Sequence, residues 1–281
     1  MNKKKFDYVV IGAGIAGCSL AYFLSKYSKS ILLIDRNSQV AFGASGAAGA
    51  FLSPLLGKPN DFKDLVTKSL IFSTNFYKNL GQELISNCGV CRIPKNQEDS
   101  DKFESYKPYM DFEYTQMNDG YFFEIGSQVT PSLICEKLTK DIEKKLSYNV
   151  IKLEQNENFT WIINDEICAK NIILTTGADV KHIKEEYFDI RGVWGQKIDV
   201  STTTETKINY HKECSVSKAS KIENTKFFKV SIGATHHKFN CDKNICNYCI
   251  ETANINACSR CYHDSIINSD SVKLIALAND I

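Results

Sequence analysis

The chain has 281 residues, 43% of them hydrophobic and 24% charged, enough for one large domain or two modest ones and too apolar for a disordered chain. Its formal net charge is +1, so the overall balance demands neither nucleic acid nor a membrane surface as partner. No stretch approaches the ~18–20 apolar residues of a membrane span. Lys3–Lys5 precede an apolar run like a signal peptide, but Gly12, Gly14 and Gly17 break that run, so the cytoplasm is expected and the 11 cysteines are expected to be mostly reduced. Arginine occurs only at positions 36, 92, 191 and 260, so any bidentate grip on a carboxylate or phosphate must come from one of these four.

Residues Phe6–Ile11 read as a buried strand, Cys18–Ser28 as a helix and Ser30–Asp35 as a second strand. Ala41–Gly57 is small, Gly-rich and too apolar for a solvated linker, and Asp61–Asn87 has helical spacing. Cys88–Gly126 reads as short strands and loops rich in Tyr and Phe, and Pro131–Leu146 as a helix. Strands are expected at 150–153, 159–163, 171–174, 191–200 and 227–235. Beyond Asn240 the pattern gives way to a Cys-dense polar stretch.

Gly12-Ala13-Gly14-Ile15-Ala16-Gly17 is a G-x-G-x-x-G turn lying between a strand and a helix. In such a turn Gly12 permits the bend, Gly14 lets backbone approach a pyrophosphate, and Gly17 lets the helix pack closely. The helix start offers free N–H groups and the positive end of its dipole to phosphate. Asp35 follows Gly17 by 18 residues, near the roughly 20 typical of an acid that binds a ribose hydroxyl. A tight turn with no ligand is the bland alternative, and this spacing alone does not separate FAD from NAD.

The next segment, Gly43-Ala44-Ser45-Gly46-Ala47-Ala48-Gly49-Ala50, resembles the Ala-Ser-Gly loop of the D-amino-acid-oxidase-like (DAO) family of FAD-dependent oxidoreductases. Val150, the Ile173–Ala178 strand and turn, and Arg191-Gly192-Val193-Trp194-Gly195-Gln196 match the family in order. The resemblance covers roughly residues 5–240. Within the family, 44–59 and 232–237 look most like the oxidoreductase module of MnmC-type tRNA-modifying enzymes.

The resemblance implies an α/β fold: a Rossmann-like FAD-binding domain with a discontinuous, mostly antiparallel β substrate domain of α+β type. The FAD-binding domain is expected at 1–80 and 127–190 and the substrate domain at 81–126 and 191–240, followed by a Cys-rich tail at 241–281. FAD is expected to contact Gly12, Gly14, Ile15, Ala16, Gly17, Asp35, Arg36, Ala44, Ser45, Gly46, Val150, Thr176 and Gly177. Arg191, as a carboxylate or structural clamp, and His236, after the 227–235 strand, are the catalytic candidates.

The expected reaction is oxidation of a secondary amine or glycine-like group. The substrate is either a small-molecule amine or the carboxymethylaminomethyl arm of a wobble uridine in tRNA. Two alternatives stand beside this: a glycine- or sarcosine-type oxidase, and a non-catalytic FAD-binding remnant or zinc-stabilised binding protein. The family's late Gly-x-Arg element and final Gly-rich turn have no counterpart in 241–281, so weak FAD binding and poor turnover are expected.

Cys246/Cys249 and Cys258/Cys261 are two C-x-x-C pairs eight residues apart, a pattern that suits one tetrahedral zinc, with a reduced polar tail as the alternative. Cys88/Cys91 reads as structural. Tyr106, Tyr109, Tyr114 and Tyr121 could stack on a base but fit a core better.

Overall fold

The computed structural model describes residues 4–117, 120–179, 190, 193–195, 197–233 and 237–238. The chain divides into two compact units, each made from two stretches: Met1–Ala47 with Pro131–Gly192, and Ala48–Thr130 with Val193–Ile281.

The first unit is built on a six-stranded sheet. At its heart is β1 (Lys4–Ile11), whose run Val9-Val10-Ile11 is buried on both faces. Such continuous apolar strands are what a parallel sheet covered on both sides requires. After the helix α1 (Ile15–Leu24) comes β2 (Ile31–Ile34), parallel to β1. On the other side β1 pairs in parallel with Ile167–Leu174, which the sequence pattern predicted as a shorter strand. The antiparallel strands Trp161–Ile163 and Leu153–Gln155 extend that edge.

Side-chain alternation splits the core in two. Val9, Ile11, Leu32 and Ile34 join Val150 and Ile163 on one face. Val10, Ile31 and Leu33 meet Cys18 and Ala21 of α1 and Cys135 of the Pro131–Leu138 helix on the other. That second helix is shorter than the predicted Pro131–Leu146. It ends at Leu138, the Thr139 hydroxyl donates to the Cys135 carbonyl, and Glu143–Lys145 becomes an edge strand parallel to β2. Val150 lies in the core but outside a strand, which begins only at Leu153.

The second unit holds an eight-stranded sheet. Its path runs Lys197–Thr202, Phe228–Gly233, Ser215–Val216, Asn209–His211, Val90–Arg92, Gly120–Phe123, Thr115–Met117, with Ser220–Lys221 pairing beside Phe228–Gly233. Every pairing is antiparallel except Asn209–His211 with Val90–Arg92. A small sheet joins Phe51–Leu52, Ser127–Val129 and Ile85–Ser86.

Two helices accompany these sheets. Asp61–Leu80 is capped by the Asn60 side chain, which accepts the Lys63 N–H, and it stops at Leu80 rather than continuing to the predicted Asn87. Gln97–Tyr106, capped by Asn96, lies where loops and strands were predicted. Its sequence is polar apart from Phe103, which packs beside Tyr121, Phe123 and Val90. Tyr114 joins the same core, and Cys91 is buried in its strand. No helix among the described residues is long and apolar enough to cross a membrane.

Candidate cofactor site at the first turn

The glycine turn and the residues that touch it all belong to the first unit. The chain leaves β1 at Gly12, whose φ of +109° is closed to ordinary L-residues. A Cβ there would also stand 2.4 Å from the Thr175 carbonyl oxygen. Thr175 ties the turn from the far end of its own strand. Its N–H donates to Ile11 O at 2.8 Å, and its hydroxyl lies 3.0 and 2.8 Å from the carbonyls of Ile11 and Gly12. Gly17 brings α1 against the turn itself, since a Cβ at Gly17 would be 1.9 Å from Gly12 O.

Gly14 is the N-cap of α1 and carries no side chain to cap it. Helix starts leave their first N–H groups without intrahelical partners. One of these is satisfied from a distance: Ile15 N–H donates to Ser45 Oγ at 3.0 Å. The N–H groups of Gly14, Ala16 and Gly17 meet no hydrogen-bond acceptor among the described residues. Ala16 is exposed. Ser45 therefore accepts from the turn and keeps its own hydroxyl proton for another acceptor.

The loop that carries Ser45 is stitched to the turn. Ala41 N–H donates to Ala13 O at 2.8 Å, and Gly46 sits so close to Ala41 that a Cβ would be 2.1 Å from its carbonyl oxygen. Ala44–Ala47 forms one short helical turn. At the end of β2, Asp35 uses both carboxylate oxygens on backbone: Oδ2 accepts Ala13 N–H at 2.6 Å and Oδ1 accepts Asn37 N–H at 2.7 Å. The residue stays partly exposed, so each oxygen retains a further lone pair toward solvent.

A glycine turn with orphan N–H donors, a hydroxyl and a half-exposed carboxylate can hold a pyrophosphate and a ribose diol. The sequence profile of the family described as FAD dependent oxidoreductase (DAO) matches residues 7–238. The chain belongs to this family.

Among curated relatives of this DAO chain, the tRNA 5-methylaminomethyl-2-thiouridine biosynthesis bifunctional protein MnmC of Marinomonas sp. (strain MWYL1) is 25% identical over 214 residues, which are 66% of this chain and 32% of the relative. The D-amino acid dehydrogenase of Helicobacter pylori (strain ATCC 700392 / 26695) is 26% identical over 211 residues, 67% of this chain and 51% of the relative. The chain thus spans about a third and about half of these relatives. The glycine oxidase structure from Geobacillus kaustophilus superposes with a TM-score of 0.67 at 13% identity, covering 86% of this chain and 74% of that one. It shares the fold, which is the α/β dinucleotide unit with a largely antiparallel β partner expected for a DAO protein.

The remaining site candidates are placed as follows. Arg36 is exposed and its Nη1 donates to Asp179 Oδ2 at 2.7 Å. Asp179 Oδ1 is buried without a hydrogen-bond partner. Val150 is 6% exposed, inside the core under the sheet. Thr176 and Gly177 follow Thr175, and Gly177 adopts φ +65° with open space around its Cβ position. Asp179 was not singled out from sequence and Thr175 was named only within the Ile173–Ala178 strand and turn, because their partners stand more than 140 residues away.

Arg191, His236, Cys246, Cys249, Cys258 and Cys261 lie outside the described residues. Among the described residues no group of three or more His, Cys, Asp or Glu could hold a metal. Below the turn, Cys18 and Cys135 are buried as free thiols, and the hydrogen bond to Cys135, with burial, pushes the Cys18 pKa far up.

Proposed function

We propose that this chain binds FAD at the Gly12–Gly17 turn and oxidises a secondary amine or glycine-like group. The observation that carries the reading is the set of unpartnered N–H groups at Gly14, Ala16 and Gly17 beside the Ser45 hydroxyl and the Asp35 carboxylate. In this reading those amides and Ser45 receive the pyrophosphate oxygens. Asp35 accepts the ribose hydroxyls through lone pairs its backbone partners leave free. Ile15, Ala44 and Gly46 bound the phosphate cradle, and Arg36, Val150, Thr176 and Gly177 bound the rest of the cofactor surface. Bound there, FAD would supply the hydride acceptor for oxidation of a C–N bond.

The amine is taken in its neutral form, and the imine left after oxidation hydrolyses to release glyoxylate from a glycine-like arm. Such chemistry asks the protein chiefly for orientation and exclusion of water. The MnmC relative supports the carboxymethylaminomethyl arm of a tRNA wobble uridine as the substrate to try first. The likeness to glycine oxidase supports free glycine or sarcosine as the second.

The experiment is a titration of the purified chain with FAD followed by absorbance, then anaerobic addition of each amine at saturating flavin. Saturable but weak flavin binding and slow bleaching by a glycine-like amine are the expected result. A chain that binds no flavin, or whose flavin no amine reduces, overturns the reading.

A further inference from the structure

In the second unit the Ser220–Lys221 and Phe228–Gly233 strands form a hairpin, with Ser220 opposite Lys229 and Lys221 opposite Phe228. One step nearer its tip the Ile222 N–H donates to Phe227 O, so these two residues also face each other. Strand side chains alternate between faces. Phe228, Val230 and Ile232 therefore share one face, where Val230 and Ile232 join the core around Cys214 and Val216. Phe227, Lys229 and Ser231 lie on the opposite face. Phe227 is 39% exposed.

That opposite face runs into a cleft of about 490 Å³. Lys218, Ser220, Lys229 and Ser231 line it from the hairpin side, and Ser86 and Gln128 from the small sheet. Glu83 is the one acid among its lining residues. Lys229 is already paired with Asp199 at 2.9 Å, and Asp199 also accepts from Ser231 Oγ at 2.5 Å. Lys218, Lys221 and Lys226 are exposed and form no ion pair among the described residues. Two of them lie over rings instead: Lys221 Nζ is 4.5 Å from the Phe228 centroid and Lys226 Nζ 5.7 Å from that of Phe227. Between Lys218 and Lys229 the chain sets four lysines against the single acid Glu223.

Unpaired ammonium groups attract phosphates, while hydroxyls and amides hydrogen-bond phosphate oxygens and sugar hydroxyls. An exposed ring offers a base a surface to stack on. A free phosphate would use the lysines alone. The Phe227 ring and the hydroxyl-lined cleft beside it suit a chain of unpaired nucleotides, which presents phosphate, sugar and base face together. We propose that the 218–229 hairpin and this cleft are a docking surface for single-stranded RNA. The surface lies wholly within the second unit. The inference deepens the reading of a tRNA wobble arm as substrate and rests on that reading for the choice of RNA over DNA.

The test titrates the full chain, without added flavin, into fluorescein-labelled decauridylate and into a short DNA duplex carrying the same label. Anisotropy is followed across a range of KCl concentrations. Wild type is expected to bind the RNA more tightly than the duplex. The triple variant Lys218→Gln/Lys221→Gln/Lys226→Gln should bind about tenfold or more weakly at low salt. Its log–log salt dependence should be shallower by about two, since each lost phosphate contact removes about 0.7 from the slope. Phe227→Ala, or Phe227→Leu if the alanine variant melts early, should lose about fivefold or more in affinity with the slope unchanged. Lys68→Gln/Lys78→Gln/Lys140→Gln changes the net charge equally elsewhere and should bind like wild type.

No RNA binding by wild type, an equal loss in the two triple variants, or a duplex held as tightly as the single strand overturns the proposal. So does unchanged affinity in both Phe227 variants, since lysines alone would then explain the attraction. RNA binding that needs the hairpin lysines, in a protein whose flavin no amine reduces, would sink the oxidation reading and leave the surface standing. Bleaching by free N-methylglycine in a protein that binds no RNA would do the reverse.

Discussion

Asp35 Oδ2 stands 2.6 Å from the Ala13 N–H, so the acid at the end of β2 is hydrogen-bonded into the glycine turn. The glycine turn and the end of β2 are therefore one structural piece. Asp35→Ala strips acceptors from Ala13 and Asn37 together and should lower the stability of the flavin-free protein by about 1–3 kcal/mol, besides weakening flavin retention. Asp35→Asn, which keeps one acceptor oxygen, should cost less. Urea titrations without flavin read this directly, and three superimposable curves would show that the carboxylate serves only the ligand.

Gly14 and Gly17 should fail in different ways when replaced by alanine. At Gly14 the backbone, φ −73° and ψ −178°, suits alanine, and the added methyl meets only Ser45 Oγ at 3.2 Å. Gly14→Ala should fold normally and lose flavin, because the methyl occupies the face a phosphate must approach. At Gly17 the methyl would overlap Gly12 O, so Gly17→Ala should be misfolded or strongly destabilised. Circular dichroism melts and flavin content separate the two, and matching behaviour would refute the distinct roles.

Lys63 Nζ is buried and paired with Asp111 at 2.6 Å, with Tyr109 O as its other partner. Burial raises the Asp111 pKa, but the Lys63 ammonium and Thr67 hydroxyl outweigh it and the net shift is downward. A carboxylate lowered in the folded state contributes stability above its ordinary pKa of about 4 and loses it as pH falls through the folded value. Asp111→Asn should cost about 2–3 kcal/mol at pH 7, since it strands a buried ammonium while Asp111 itself is partly exposed. The gap to wild type should shrink below about pH 4. A gap that stays constant with pH would mean the charge is not what matters.

Cys18 and Cys135 should resist thiol reagents in the folded protein. The thiolate is the reactive form, and Cys18 is held far from it by its hydrogen bond to Cys135 and by burial. Alkylation at pH 8 followed by peptide mapping should find both unmodified until the chain is unfolded. Rapid labelling of either in native buffer would contradict the packing beneath the turn.

What could be read from sequence was local. The strand, turn, helix, second strand and Asp35 lie within about 30 residues, and each is marked by spacing that one ligand and one packing geometry impose. Glu143–Lys145 could not be read as a strand, because an edge strand with three charged side chains has no apolar signature and its parallel partner β2 lies over a hundred residues back. Gln97–Tyr106 was hidden by having one buried residue, Phe103. Ser45 was singled out from sequence as a hydroxyl donor, but its acceptance of the Ile15 N–H could not be read there.

The parallel pairing of Lys4–Ile11 with Ile167–Leu174 also sets a timetable. During synthesis Lys4–Ile11 cannot complete its central ladder until some 160 residues later, after the whole Ala48–Thr130 stretch of the second unit has been made. Closing so large a loop is slow, and a strand waiting with one open side invites mispairing. Thr175, arriving directly after that late strand, also locks Gly12, so the cradle takes its final shape only when the ladder closes. Synthesis halted before residue 167 would leave the glycine turn present in the polypeptide yet unable to set, with an unpaired apolar edge that draws chaperones and neighbouring chains.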